Sequence, residues 1–187
     1  MYSTSDFKKN LKVMIDGSPY TIIDFQHVKP GKGNQFTRTK LKNILTGSNL
    51  ERTFKSGEKF EVPDIEFRDV TYLYQDEHFN FMDQKNFEQF SLSSEVLGDS
   101  RLYLKENLQV NMILFNGRAI SIDLPNHVVL KIKQTDPGLK GNTVSNTTKP
   151  AFLESGASVQ VPLHINEGDL IKIDTVEGTY VERVSKE

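Results

Sequence analysis

Two strand-like runs enclose the stretch Lys29-Pro30-Gly31-Lys32-Gly33-Asn34-Gln35, and this constrains the chain more than any other feature. Residues 20–28 before it are rich in β-branched and aromatic side chains, and residues 36–42 after it alternate in the same style. Two such runs around a Pro-Gly cluster predict a β-hairpin with a several-residue tip. Proline presets φ near −65° and glycine accepts φ > 0 without a Cβ clash. Lys32 stands between two glycines, so neither sequence neighbour offers a side chain to pack on it. At about 3.3 Å per residue, the first run can hold that amine about 30 Å from its base. A Gly-rich turn with a merely solvated lysine is the plain alternative.

The rest of the chain repeats this grammar. Residues 11–15 read as a strand, and Asp16-Gly17 turns them into the long hairpin. Residues 51–54 resume after the second arm, and Ser56-Gly57 turns into residues 59–62. Short strands at close spacing without helical periodicity predict a small barrel. Val62-Pro63-Asp64-Ile65 is a candidate boundary. A second block then offers strands at residues 69–74, 78–82 and 86–92, followed by two more (109–115 and 118–122) joined through Asn116-Gly117. Residues 98–106 are the best helix candidate, with Asp99 or Ser100 as cap. After a second boundary at Leu124-Pro125-Asn126, a third block has strands at 128–133, 158–162, 170–174 and 179–184. A long polar loop is expected from Thr135 to Pro150. The pattern is all-β: an N-terminal barrel over 1–64, and two blocks, 65–127 and 128–187, resembling five-stranded oligonucleotide-binding (OB) barrels.

Composition narrows the function. The 187 residues include no cysteine, which excludes a disulfide frame, a thiolate metal site and a cysteine nucleophile. The N-terminus lacks the regions of a signal peptide and no apolar run reaches membrane-span length, so a cytoplasmic protein without a membrane partner is expected. Net charge is only −2, but it is segregated. Residues 1–65 hold 11 basic and 7 acidic side chains, residues 66–127 hold 5 and 10, and residues 128–187 hold 7 and 8. Between Lys29 and Lys42 stand five cations (Lys29, Lys32, Arg38, Lys40, Lys42) and no acid. Such a run attracts phosphate locally, or is simply a solvated hairpin face.

The sequence offers little catalytic chemistry. The four histidines (His27, His78, His127, His164) stand at no metal-ligand spacing, and no serine lies in a Gly-x-Ser-x-Gly elbow. Gly138-Leu139-Lys140-Gly141-Asn142-Thr143 lacks the Gly-Lys-Ser/Thr of a nucleotide P-loop. A binding protein without cofactor or metal fits better than an enzyme.

At three places the chain resembles the bacterial elongation factor P family. Lys29-Pro-Gly-Lys-Gly-Asn-Gln-Phe36 is similar to that family's tip loop, and Thr135-Asp-Pro-Gly-Leu-Lys-Gly141 to the entry of its third domain. Lys149-Pro-Ala-Phe-Leu-Glu-Ser-Gly156, continued through Val159-Gln-Val-Pro162 and Ile165-Asn-Glu-Gly168, matches the family signature. The resemblance implies an SH3-like (KOW-like) barrel followed by two OB barrels in an L-shaped, tRNA-like arrangement. It implies a monomeric translation factor that enters the 70S ribosome between the P and E sites, touching ribosomal RNA. Its tip would reach the acceptor end of the peptidyl-tRNA and relieve stalling at consecutive prolines. Lys32 matches the lysine that many members carry modified, often by β-lysylation and in some cases hydroxylation, so a lysyl-tRNA synthetase-like ligase is an expected partner. Lys29, Pro30, Gly31, Lys32, Gly33, Asn34, Arg38, Lys40 and Lys42 are the tRNA- and ribosome-binding candidates on the hairpin. By family position, Asp99 and Arg101 are expected near E-site components. Gly141-Asn142-Thr143 matches a Gly-Asp-Thr expected to face the E-site codon, with Asn142 in place of the aspartate. The rivals are an elongation factor P-like paralogue with a different or absent modification, and a general single-strand RNA-binding module.

Overall fold

The computed structural model describes residues 1–138 and 147–184. The chain folds as two compact units. One is Met1–Glu66 with Phe115–Arg118, and the other is Phe67–Leu114 with Ala119–Glu187. Apart from one short α-helix and two 310 segments, the regular structure among the described residues is β.

In the first unit, β1 (Tyr2–Ser3) leads into a 310 turn over Thr4–Asp6. Next come β2 (Lys12–Ile15), β3 (Ser18–Val28), β4 (Phe36–Asn43), β5 (Asn49–Lys55) and β6 (Lys59–Phe60). β2 to β5 form an antiparallel sheet in chain order, and β1 pairs with β6. Asp16 and Gly17, at φ 49° and 80°, make the tight β2–β3 turn expected of this dipeptide. Val13, Ile15, Ile22, Leu41, Phe54 and Phe60 fill the core against Phe7 and Leu11.

Mostly within the second unit, β7 (Ile65–Gln75) begins a sheet with β8 (Phe79–Asp83), β9 (Gln89–Leu92), β10 (Gln109–Phe115) and β11 (Arg118–Asp123). β12 (His127–Thr135) begins another with β13 (Thr148–Leu153), β14 (Ser158–Pro162), β15 (Leu170–Asp174) and β16 (Thr179–Val184). The spatial orders are β11-β10-β7-β8-β9 and β14-β13-β12-β15-β16. The connectivity is therefore the same in both: the first strand is central, with the next two on one side and the last two on the other. Each first strand shifts register against the strand that follows it, between Tyr72 and Tyr74 in β7 and between Ile132 and Gln134 in β12. Such a bulge sharpens the twist and helps a sheet to curl. Alternation along most of these strands then sends one face inward, although Val70, Thr71 and Tyr72 of β7 are buried in succession. Phe81, Met112 and Leu114 lie in one core, and Leu130, Ile132, Leu153, Ile171 and Ile173 in the other. Truncating any one of these to alanine removes about 2–5 kcal/mol.

Three expectations need correction. The strand expected over 86–92 begins only at Gln89, because the preceding residues close the β8–β9 turn, with the Phe87 N–H donating to the Asp83 carbonyl at 2.8 Å. The polar loop expected to run to Pro150 ends earlier, because β13 already begins at Thr148. Pro150 is tolerated there because the β12–β13 pairing stops at Thr135↔Ala151, beyond which its missing N–H breaks no rung. Its carbonyl instead accepts the Thr135 hydroxyl at 2.9 Å. The helix expected over 98–106 starts earlier. α1 (Ser94–Leu97) is capped by Ser93, whose hydroxyl accepts the Val96 N–H at 3.3 Å, and a 310 helix follows over Gly98–Tyr103. Neither Asp99 nor Ser100 is the cap. Gly98 takes a positive φ of 55° and separates the two pieces. No helix among the described residues is long and apolar enough to cross a membrane.

Candidate functional site

The long hairpin is a ladder of residue pairs. From its base, Tyr20↔Asn43, Thr21↔Lys42 and Ile22↔Leu41 lead past a bulge at Ile23 to Asp24↔Lys40, Phe25↔Thr39, Gln26↔Arg38, His27↔Thr37 and Val28↔Phe36. Beyond that last pair lies the tip, residues 29–35, every one exposed. Gly33 sits at φ 110°, where a side chain is strained, and a Cβ on Gly31 would meet nothing within 4 Å. Both neighbours of Lys32 therefore leave its ammonium and stem bare. The tip is tied down where the Gln35 carbonyl accepts the Ser56 N–H at 3.1 Å.

Aromatic contacts stiffen the arm. Phe7 stands edge-on to Phe54 and Phe25, at centroid distances of 6.2 and 6.3 Å, and Phe25 meets the His27 ring at 5.3 Å. The chain of rings thus runs from the core to two residues short of Lys29. There His27 Nδ1 lies 2.9 Å from the Thr37 hydroxyl.

Arg38, Lys40 and Lys42 share the solvent face of β4, as the alternation predicts. The cation run is nevertheless flanked by acids that a linear reading does not reveal. Lys40 stands opposite Asp24 on β3 and Glu51 on β5. These three, with Gln26 and Arg38, line a recess of about 210 Å³. Positive charge is thereby offset in mid-arm and left dominant toward the tip, where Lys29, Lys32 and Arg38 lie. The Arg38 guanidinium lies 5.8 Å from the centroid of the Phe36 ring, a cation–π distance that holds it near the hairpin's outer end.

The remaining candidates fall elsewhere. Asp99 and Arg101 lie in the second unit on the 310 helix, where Arg101 lines a cavity of about 770 Å³ with Tyr72, Lys105, Glu106 and Glu154. Burial raises the Tyr72 phenol above its ordinary value, with the nearby Glu106 carboxylate adding to the shift. Lys105 Nζ donates to the Val129 carbonyl at 2.7 Å, and the Ser155 hydroxyl donates to that of Leu102. Gly141, Asn142 and Thr143 lie outside the described residues.

Fold and site together define an all-β protein of antiparallel sheets that displays a lysine at the end of an arm. Comparison with known proteins makes this specific. Three family models match: "Elongation factor P (EF-P) KOW-like domain" over residues 3–60, "Elongation factor P (EF-P) OB domain" over 65–122 and "Elongation factor P, C-terminal" over 128–183. The elongation factor P of Bdellovibrio bacteriovorus is 59% identical over 187 residues, covering all of both chains. That of Moorella thermoacetica is 50% identical over 184 residues, covering 98% of this chain and all of the relative. Among solved structures, the eukaryotic translation initiation factor 5A from Methanococcus jannaschii is similar at 26% identity and a TM-score of 0.53. It matches 66% of this chain and 91% of its own. The chain belongs to the elongation factor P family.

Proposed function

We propose that this chain binds the ribosome between the P and E sites and speeds peptide-bond formation where consecutive prolines stall it. In this reading it is a cytoplasmic protein of three modules (1–64, 65–127 and 128–187), and Lys32 acts on the acceptor end of the peptidyl-tRNA. The observation that carries the reading is the bare Lys32 between Gly31 and Gly33, on a hairpin tip whose residues are all exposed.

The chemistry is positioning. A flexible acceptor end spends little time in the geometry that attack requires, and holding it there converts an entropic penalty into a rate gain. An ammonium between two glycines can come close to RNA backbone, and Lys29 and Arg38 offset phosphate repulsion beside it. The role calls for no acid or base, so the factor itself is not an enzyme. Aminoacylation of Lys32 Nζ by a lysyl-tRNA synthetase-like ligase would lengthen its reach and add donors. Asp99, Arg101 and the 141–143 segment are assigned secondary ribosomal contacts.

The test is reconstituted translation of a message with three successive prolines, using protein from its own source and ribosomes to match. Full-length product should depend on the protein and disappear with Lys32→Ala, while the variant melts as the parent does. Equal rescue by the variant would sink the assignment. Mass analysis of the tip peptide then identifies any group on Lys32.

A further inference from the structure

Among the described residues, five that are not glycine take a positive φ. Four are Asn10, Asp16, Asn107 and Asn116, and the fifth is Phe87, at 60°. Asn and Asp visit this region readily because their short polar side chains hydrogen-bond locally. A bulky side chain there crowds the backbone. Packing does not explain the choice, because Phe87 is 68% exposed.

The β8–β9 turn that carries it is firmly built. Asp83 N–H donates to the Glu88 carbonyl at 2.9 Å, and Phe87 N–H donates to the Asp83 carbonyl at 2.8 Å. The buried Asp83 carboxylate accepts the Lys85 N–H at 2.8 Å, and Asn86 Oδ1 accepts the Glu88 N–H at 2.9 Å. Arg68 bridges Asp83, at 3.7 Å, and Glu88. A rigid turn thus holds an aromatic ring in water at a position where asparagine would sit more easily. Strain kept for an exposed side chain points to a contact made with a partner.

Gln84 and Lys85 of the same turn also line a groove of about 380 Å³, with Val70 and Val110 beside Asp69 and Asp123. The surrounding block, residues 66–127, holds ten acidic and five basic side chains. Two carboxylates, Asp69 and Asp123, outnumber the one cation in the groove, Lys85, and in this acidic block they favour a lysine or arginine over a phosphate. We propose that Phe87 and this groove are a docking surface for a basic protein segment. The ring enters an apolar pocket of the partner, and Asp69 and Asp123 receive a cationic side chain. The proposal rests on the ribosomal reading above, since proteins that hold ribosomal RNA are themselves rich in lysine and arginine.

The test uses the full chain and purified ribosomes carrying peptidyl-tRNA. Phe87→Asn should melt at the parent's temperature or about 2–4 °C above it, yet bind ribosomes about tenfold more weakly. Asp123→Lys should lose a similar factor. A photo-reactive benzoyl-phenylalanine at position 87 should cross-link to a ribosomal protein. Undiminished binding by both variants, a lower melting temperature for Phe87→Asn, or adducts to ribosomal RNA alone would each overturn the proposal. A parent protein that binds no ribosomes removes the underlying reading and this proposal with it. A parent that rescues proline stalling while Phe87→Asn rescues and binds equally well overturns this proposal only.

Discussion

The His27 imidazole and the Thr37 hydroxyl meet at 2.9 Å, one rung inside the last residue pair of the long hairpin. The pair joins the strands that carry the tip, and Thr37 is 1% exposed, so its hydroxyl has little access to water. Thr37→Val keeps the shape and removes the bond, at a cost of about 1 kcal/mol. Amide exchange at Val28 and Phe36 should accelerate while the core of the first unit stays protected. Proline rescue should fall severalfold, because a looser arm aims Lys32 less well. Unchanged exchange at both amides would show that the ladder alone holds the arm.

Gly31 and Gly33 look equivalent around Lys32, but their backbones differ. Gly33 has a φ of 110°, whereas a Cβ on Gly31 meets open space and no positive φ is imposed there. Gly33→Ala should therefore redirect the tip, since an alanine held at that φ is strained by about 1–3 kcal/mol. Gly31→Ala should be mild. In the triple-proline assay Gly33→Ala should lose tenfold or more and Gly31→Ala less than threefold, with equal melting temperatures. Equal losses would mean that backbone conformation is not what presents the lysine.

What could be read in advance follows from how local each signal is. Pro30-Gly31 between alternating runs, and the turns at Asp16-Gly17 and Asn116-Gly117, are decided by residues next to one another, and the strands they join formed where expected. The acids facing Lys40 are not local. Glu51 lies on the next strand, and Asp24 comes opposite only because the register slips at Ile23. β13 was hidden by Pro150, which reads as a loop residue until the end of its partner strand is known. Phe87 reads from the pattern as part of a strand over 86–92, and only its backbone angle shows that it sits in the turn before β9.

Gly138 lies so close to Leu163 that a Cβ would stand 2.1 Å from the Leu163 carbonyl oxygen. The neighbour is backbone, which cannot swing aside as a side chain would. Gly138→Ala should cost about 1–3 kcal/mol or more through overpacking, lowering the urea midpoint of the second unit. Gly17→Ala offers a control: no atom lies within 4 Å of its added Cβ, and its penalty comes from its φ of 80° alone.

Asp174 closes the β15–β16 turn, accepting the Val176 N–H at 2.8 Å and the Glu177 N–H at 3.0 Å. The bond from Glu177 is the main cause of a carboxyl pKa below its ordinary value, and the Val176 bond and nearby His127 add to the effect. A group with a lowered folded pKa stabilises the fold when ionised. Its contribution is complete above the unfolded value, near 3.9, and is lost as pH falls through the lower folded value. Asp174→Asn keeps an acceptor oxygen but cannot titrate. Urea midpoints measured between pH 7 and pH 2.5 should fall less steeply for this variant than for the parent, with the difference confined to the region below about pH 4. Parallel curves across that range would show that the turn is held without help from the charge on Asp174.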